Sequence, residues 1–69
     1  MNKKPYKKYK AIINNQEFII EQDNHEIGWY LYVYSNGKII KDHLQDDIET
    51  IKAQAKNEYS VPEEAWVEI

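Results

Sequence analysis

Acidic residues and a histidine are concentrated in one short segment, Asp42-His43-Leu44-Gln45-Asp46-Asp47. Three carboxylates and an imidazole could bind a divalent cation through oxygen ligands. A metal-dependent hydrolase would then be centred on Asp42, Asp46 and Asp47. The structural alternative is that Asp46 caps a following helix, Asp47 lies in its first turn and His43 pairs across a strand. We favour the structural alternative and predict neither a metal nor another cofactor.

Motifs typical of enzymes are missing from the rest of the sequence. The histidines are His25 and His43, and the two glycines, Gly28 and Gly37, cannot form a glycine-rich phosphate loop. Ser35 lies in a predicted turn, and no nucleophile elbow surrounds it. The absence of cysteine excludes disulfides and thiolate metal ligands. The sequence therefore predicts a protein that is not an enzyme.

The charge is divided unevenly along this chain of 69 residues, whose net charge is −3. The first ten residues carry +5, whereas the rest holds twelve acidic residues and four lysines, a charge of −8. The N-terminal lysines are Lys3, Lys4, Lys7, Lys8 and Lys10. This split predicts a flexible lysine-rich arm over residues 1–8 and one acidic domain over 9–69.

Hydropathy predicts a cytoplasmic protein. No run approaches the roughly 20 apolar residues that span a bilayer. The basic N-terminus is not followed by an apolar stretch of signal-peptide type. We therefore expect no membrane partner.

Two hairpins are predicted before the helix. Side chains in residues 9–22 alternate between the two faces of two strands, on either side of Asn14-Asn15-Gln16-Glu17. This pattern predicts a hairpin with a four-residue loop, in which Ile13 pairs with Phe18. The other predicted pairs are Ala11–Ile20 on one face, and Ile12–Ile19 and Lys10–Glu21 on the other. A polar connection over residues 22–26 leads to the second hairpin.

The second hairpin joins strands at 27–34 and 38–44 through Asn36-Gly37, the favoured pair for a two-residue turn. Its predicted pairs are Tyr34–Ile39, Val33–Ile40, Tyr32–Lys41, Tyr30–His43 and Trp29–Leu44. Alternation places Trp29, Leu31 and Val33 on one face. Because that face is strongly apolar, we predict that the helix covers it.

A single helix follows the hairpins. Asp46 and Glu49 predict its capping box, and Pro62 cannot continue it. Its apolar stripe is formed by Leu44, Ile48, Ile51, Ala55 and Tyr59. Residues 62–65 could form a helical turn, and 66–69 alternate as a last strand. The predicted fold is α+β in the order ββββαβ: an antiparallel sheet of two hairpins plus a short C-terminal strand, with one amphipathic helix on one face.

We predict that the other face of the third strand is a binding surface. Tyr30, Tyr32 and Tyr34 would form an aromatic strip flanked by Lys41 and His43, and tyrosine is enriched at protein interfaces. The acidic body would suit a basic partner. These properties favour a protein-binding module, such as an immunity protein, an antitoxin or an inhibitor. The same face, or an open edge strand, would also serve a homodimer.

Nucleic-acid binding is the alternative function. Aromatic residues on an open sheet can stack on bases when basic residues lie nearby. The five N-terminal lysines would contact phosphates. The acidic body would repel them, so we favour a protein partner.

The segments Gly28–Tyr32 and Asp42–Asp46, with the helix and Val61–Trp66 after them, resemble small uncharacterised bacterial and phage α+β proteins. A hairpin followed by an acid-capped helix and a strand is also similar to the half-RNase-H fold of HicB-type antitoxins. That family has three strands before the helix and a Pro-Gly-Cys stretch, whereas this chain has four predicted strands and no cysteine. The resemblance implies an antitoxin-like fold and transfers no functional residues.

Overall fold

The computed structural model describes residues 7–23 and 28–69. Four strands precede one helix, and a short 3₁₀ helix and a last strand follow it. The strands are β1 (Lys8–Ile13), β2 (Gln16–Gln22), β3 (Trp29–Ser35), β4 (Lys38–Gln45) and β5 (Val67–Glu68), the helix is α1 (Ile48–Tyr59), and the 3₁₀ helix is Glu63–Ala65. The predicted α+β fold and its ββββαβ order are confirmed.

The five strands form one antiparallel sheet in the order β4-β3-β2-β1-β5. Each hairpin places its strands side by side, and β5 returns to pair with β1 through Tyr9–Glu68 and Lys10–Val67. Helix α1 contacts β3 and β4. The sheet therefore has one face covered by α1.

The hydrophobic core lies between α1 and this covered face. Its buried side chains are Ala11, Phe18, Ile20, Leu31, Val33, Ile51, Ala55 and Val61. Trp29 is half-buried against the same core, and its ring lies 6.4 Å from the ring of Tyr9. The prediction that the helix covers the Trp29 face is confirmed.

The first hairpin is tighter than predicted. Asn14 and Asn15 adopt φ values of 50° and 68°, which asparagine tolerates, and they form the whole turn. Ile13 therefore pairs with Gln16, not with Phe18, and Ala11 pairs with Phe18. Because the register moves by two residues, the side chains keep their predicted faces.

The other predicted pairs of this hairpin are also wrong, for the same reason. Ile12 lies opposite Glu17, and Lys10 lies opposite Ile19. The lysine still forms an ion pair, 3.2 Å from its Nζ to Oε2 of Glu17. The predicted partner of Lys10, Glu21, lies opposite Lys8.

A β-bulge in β4 changes the register of the second hairpin. The turn at Asn36-Gly37 and the Tyr34–Ile39 pair are confirmed, but the register shifts between Val33 and Tyr34. The other four predicted pairs are wrong, and the observed ones are Val33–Lys41, Tyr32–Asp42, Leu31–His43, Tyr30–Leu44 and Trp29–Gln45. Because one extra residue, Ile40, stands outside the pairing, every side chain after it changes face.

The helix begins one residue later than predicted. Asp47, not Asp46, is its N-cap, and its Oδ1 accepts the Thr50 N–H at 2.8 Å. The predicted stripe holds for Ile51 and Ala55, which are buried, and for Ile48 and Tyr59, which pack against the core. Leu44 does not belong to the stripe, because it lies in β4 with 54% of its surface exposed.

The helix ends at Tyr59 and is capped by Ser60, which has a left-handed φ of 61°. The N–H groups of Ser60 and Val61 bond the carbonyls of Lys56 and Ala55, which satisfies two free helix-end acceptors. Pro62 then precedes the 3₁₀ turn, as predicted. The predicted last strand is confirmed by β5.

The N-terminal arm falls mostly outside the described residues, which exclude 1–6. Lys8 belongs to β1, and the carbonyl of Lys7 accepts the N–H of Gln22 at 3.0 Å. Most of the predicted polar connection and the predicted first residue of the third strand also lie outside, in 24–27. No helix in the described part of the chain is long and apolar enough to cross a membrane.

Candidate functional site

The face of the sheet that points away from α1, which we call the open face, carries the tyrosine strip. Tyr30, Tyr32 and Tyr34 alternate along β3 with Leu31 and Val33, whose side chains are buried under α1. All three tyrosines are half-buried in the surface of the sheet. The open face has no covering element among the described residues.

Two of the tyrosine rings stack on one another. The ring centroids of Tyr30 and Tyr32 lie 5.8 Å apart, and their planes differ by 15°. Burial raises the pKa of Tyr32, and Glu21, Tyr30 and Asp42 raise it further. The Tyr32 hydroxyl therefore stays protonated at neutral pH and can donate a hydrogen bond.

Strand pairing arranges the open face in three rows that cross the sheet from β4 to β1. The first row is Leu44, Tyr30, Glu21 and Lys8; the second is Asp42, Tyr32, Ile19 and Lys10; the third is Ile39, Tyr34, Glu17 and Ile12. Val67 extends the second row, because it lies opposite Lys10 in β5.

Large exposed aliphatic side chains lie on the open face at both sides of the sheet, in β4 and in β1 and β5. Ile12 is 64% exposed, Val67 62%, Leu44 54% and Ile39 50%. At the β1–β5 end, a hollow of about 390 Å³ opens among Lys10, Ala11, Ile12, Ala65, Val67 and Ile69. Large exposed apolar side chains grouped on one face are typical of an interaction site.

Charged residues of both signs share the open face. Lys8 and Lys10 lie on β1, whereas Asp42 lies on β4. Glu21 is opposite Lys8, and Glu17 is held by Lys10. The open face is therefore basic at β1 and acidic at β4.

Two of the five predicted binding residues lie on the wrong face. Lys41 is opposite Val33, and His43 is opposite Leu31, so both are on the α1 side of the sheet. The bulge at Ile40 is the cause, because it reverses the alternation. The three tyrosines remain together.

Sequence reasoning also missed several residues of this face. Leu44 and Asp42 take the places expected for His43 and Lys41 beside the tyrosines. Ile12 and Ile19 face the same way, as the alternation in the first hairpin already indicated.

His43 instead joins a polar network under the sheet edge. The amide of Gln54 donates to Nδ1 of His43 at 3.0 Å, so the imidazole Nε2–H donates to the Tyr59 hydroxyl at 2.7 Å. Gln45 donates to Oε1 of Gln54 at 2.9 Å. Burial, together with Glu58, raises the pKa of Tyr59. These contacts attach β4 to α1 and give His43 a structural role.

The acidic segment does not converge on one point. Asp42 lies on the open face, Asp47 caps α1, and His43 bonds Tyr59. Within residues 7–23 and 28–69, no group of three histidine, cysteine, aspartate or glutamate side chains is placed to hold a metal ion. His25 lies outside the described residues.

The five lysines predicted to bind nucleic acid do not form one group in the described structure. Lys3 and Lys4 lie outside the described residues, and Lys7 is exposed just before β1. Lys8 and Lys10 belong to β1 and flank the open face.

Comparisons with protein-family models, with curated proteins and with solved structures found no match to this chain. The resemblance to HicB-type antitoxins is neither supported nor excluded by them, and it stays a prediction.

Proposed function

We propose that this chain is a non-enzymatic protein-binding module whose contact surface is the open face. The observation that carries the proposal is the row structure of that face, in which Tyr30, Tyr32 and Tyr34 lie near the centre. The exposed Leu44 and Ile39 lie beside them on β4, and the exposed Ile12 lies in β1 at the far side of the same face. An immunity protein, an antitoxin or an inhibitor acts in this way, by occupying a partner's surface. A cytoplasmic location is part of the proposal.

Burial of this face supplies the driving force for binding. Each Å² of apolar surface removed from water contributes about 25 cal/mol. Tyrosine adds rigid contact area together with a hydroxyl that can donate to a partner acceptor. Lys8 and Lys10 lie at the β1 side of the face and Asp42 lies at the β4 side, and charges in an interface mainly select the partner and its orientation.

The test is capture of a partner by variants of the open face. The variant Tyr30→Ser, Tyr32→Ser, Tyr34→Ser should lose capture from an extract of the source cells, while its circular dichroism spectrum shows a folded protein. The matched control replaces three exposed helix positions, Glu49→Ser, Ala53→Ser and Asn57→Ser. Capture that survives the tyrosine changes, or that is lost equally in the control, would contradict the proposal.

The second candidate function is binding of single-stranded nucleic acid. It is favoured by one observation, that Lys8 and Lys10 lie on the same face as the tyrosines. Glu17, Glu21 and Asp42 share that face and oppose phosphate binding. Fluorescence anisotropy with single-stranded and duplex oligomers at low salt tests it: binding that weakens steeply with salt would support it, and no binding would reject it.

A further inference from the structure

We infer that the partner of the open face is a second copy of this chain, bound face to face in a two-fold dimer. The inference rests on the proposed function, because it names the occupant of the same surface. Two sheets packed face to face lie about 10 Å apart, with their strands nearly aligned. In a two-fold dimer each copy uses the same patch, so the patch must be complementary to itself.

The charge pattern selects the orientation of the two-fold axis. An axis perpendicular to the strands would place each strand over its own copy. With the axis on the middle row, Asp42 would face Asp42, and Lys10 would face Lys10. Like charges set against each other in an interface are strongly unfavourable. An axis shifted towards the third row would set Asp42 against Ile39 and Lys10 against Ile12, which leaves both charges without a partner across the interface. These orientations are therefore disfavoured.

An axis parallel to the strands and centred on β2 also fails. It would place β2 of one copy over β2 of the other. Glu17 would then face Glu17, and Glu21 would face Glu21, at the centre of the interface. Each carboxylate would then face its own like charge, with no hydrogen-bond donor opposite it.

An axis parallel to the strands and midway between β2 and β3 places no like charges against each other in any row. It sets β4 over β1 and β3 over β2 of the partner copy. In the second row, Asp42 then faces Lys10, and Tyr32 faces Ile19, and each contact occurs twice.

The outer two rows are compatible with the same axis. Tyr30 faces Glu21 and Tyr34 faces Glu17, so each carboxylate meets a phenol that can donate a hydrogen bond. Ile39 faces Ile12 in the third row, and both side chains are at least half exposed in the single chain.

In the first row Leu44 faces Lys8, whose aliphatic stem can pack on it. This arrangement therefore pairs Asp42 with Lys10 and covers exposed apolar surface.

The edges of the sheet are less suited to join two copies. Strand β4 has no neighbour on its outer side among the described residues, but it carries Lys38 and Lys41 and the bulge at Ile40. Lysines and bulges on edge strands prevent pairing with another chain. The opposite edge is partly occupied by β5.

Sedimentation velocity with charge-reversed variants tests this dimer. The wild-type chain should show a concentration-dependent dimer. Asp42→Lys alone and Lys10→Asp alone should each weaken it at least about tenfold, because like charges then face each other. An equimolar mixture of the two variants should form the dimer again, since each variant supplies the charge that the other needs. Glu49→Lys, the same charge change on the exposed side of α1, should leave the dimer unchanged.

The results separate this inference from the proposed function. Three results would reject a second copy as the occupant of the open face. They are a wild-type chain that stays monomeric, a mixture that does not recover the dimer, and a Glu49→Lys variant whose dimer is weakened as much as those of the other two variants. A monomeric chain that captures a different protein through Tyr30, Tyr32 and Tyr34 would still support the proposed function. A dimer that survives replacement of all three tyrosines by serine would overturn the inference, and it would leave the proposed function to the capture experiment.

Discussion

Tyr32 lies directly opposite Asp42 across β3 and β4, in the middle row of the open face. Its phenol is partly buried, and burial, followed by the charge of Glu21, raises its pKa above the ordinary value of 10.0. Asp42 contributes to the same shift. The pair thus places a neutral hydrogen-bond donor and an acid side by side on the surface that we propose as the contact site.

Stability should fall as the pH rises above the ordinary tyrosine value. The pKa values of Tyr32 and Tyr59 are raised in the folded chain, so the folded state keeps these protons when the unfolded state loses them. Their contribution is fully present below pH 10.0 and is lost as the pH rises through the folded values. Urea denaturation at a series of alkaline pH values measures how steeply the unfolding free energy falls with pH. Tyr32→Phe and Tyr59→Phe should each make this fall less steep. An unchanged slope in both variants would contradict the assignment.

The two neighbouring aspartates at the start of α1 should differ in their effect on stability. Asp47→Ala removes the acceptor of the Thr50 N–H and should lower the urea midpoint, whereas Asp46→Ala should change it little. The hydrogen bond to Thr50 lowers the pKa of Asp47, so its stabilisation is present above the ordinary value of 3.8 and is lost as the pH falls. A larger effect from Asp46→Ala would place the cap where the sequence predicts it.

Leu31 and Leu44 lie on opposite faces of the sheet, so their replacement should affect stability differently. Leu31→Ala leaves a cavity in the core and should cost about 2–5 kcal/mol of unfolding free energy. Leu44→Ala changes a side chain that is 54% exposed and should cost less than about 0.5 kcal/mol. Urea denaturation of the dilute proteins measures both values. A loss of similar size in the two variants would mean that Leu44 belongs to the core, as the unbulged register requires.

Fold class, element order and the face covered by α1 could be predicted because each rests on a strong local pattern. The alternation in Trp29–Tyr34 and the Asn36-Gly37 turn define β3 and its two faces. The spacing of Ile51 and Ala55 defines the buried side of the helix. The local structure that these sequence patterns favour is the same as the structure that the tertiary packing requires.

The bulge could not be predicted, because Ile39 and Ile40 are both apolar and either can pair next to the turn. The choice is made by distant contacts, since the shifted register brings His43 to Gln54 and Tyr59 on α1. Because the prediction lacked this one-residue shift, it placed Lys41 and His43 on the wrong face and did not identify Asp42 and Leu44 as residues of the open face. Asp46 and Asp47 are equally ambiguous, because both are good N-cap residues next to each other.

Site-specific photo-crosslinking tests the central claim, that the open face is the contact surface, most directly. A benzophenone amino acid is placed at Leu44, on the open face, and separately at Ala53, on the exposed side of α1. We expect a crosslinked protein adduct from position 44 and none from position 53, with mass spectrometry identifying the partner as a second copy or another protein. Adducts from position 53 alone, or equally from both positions, would contradict the account.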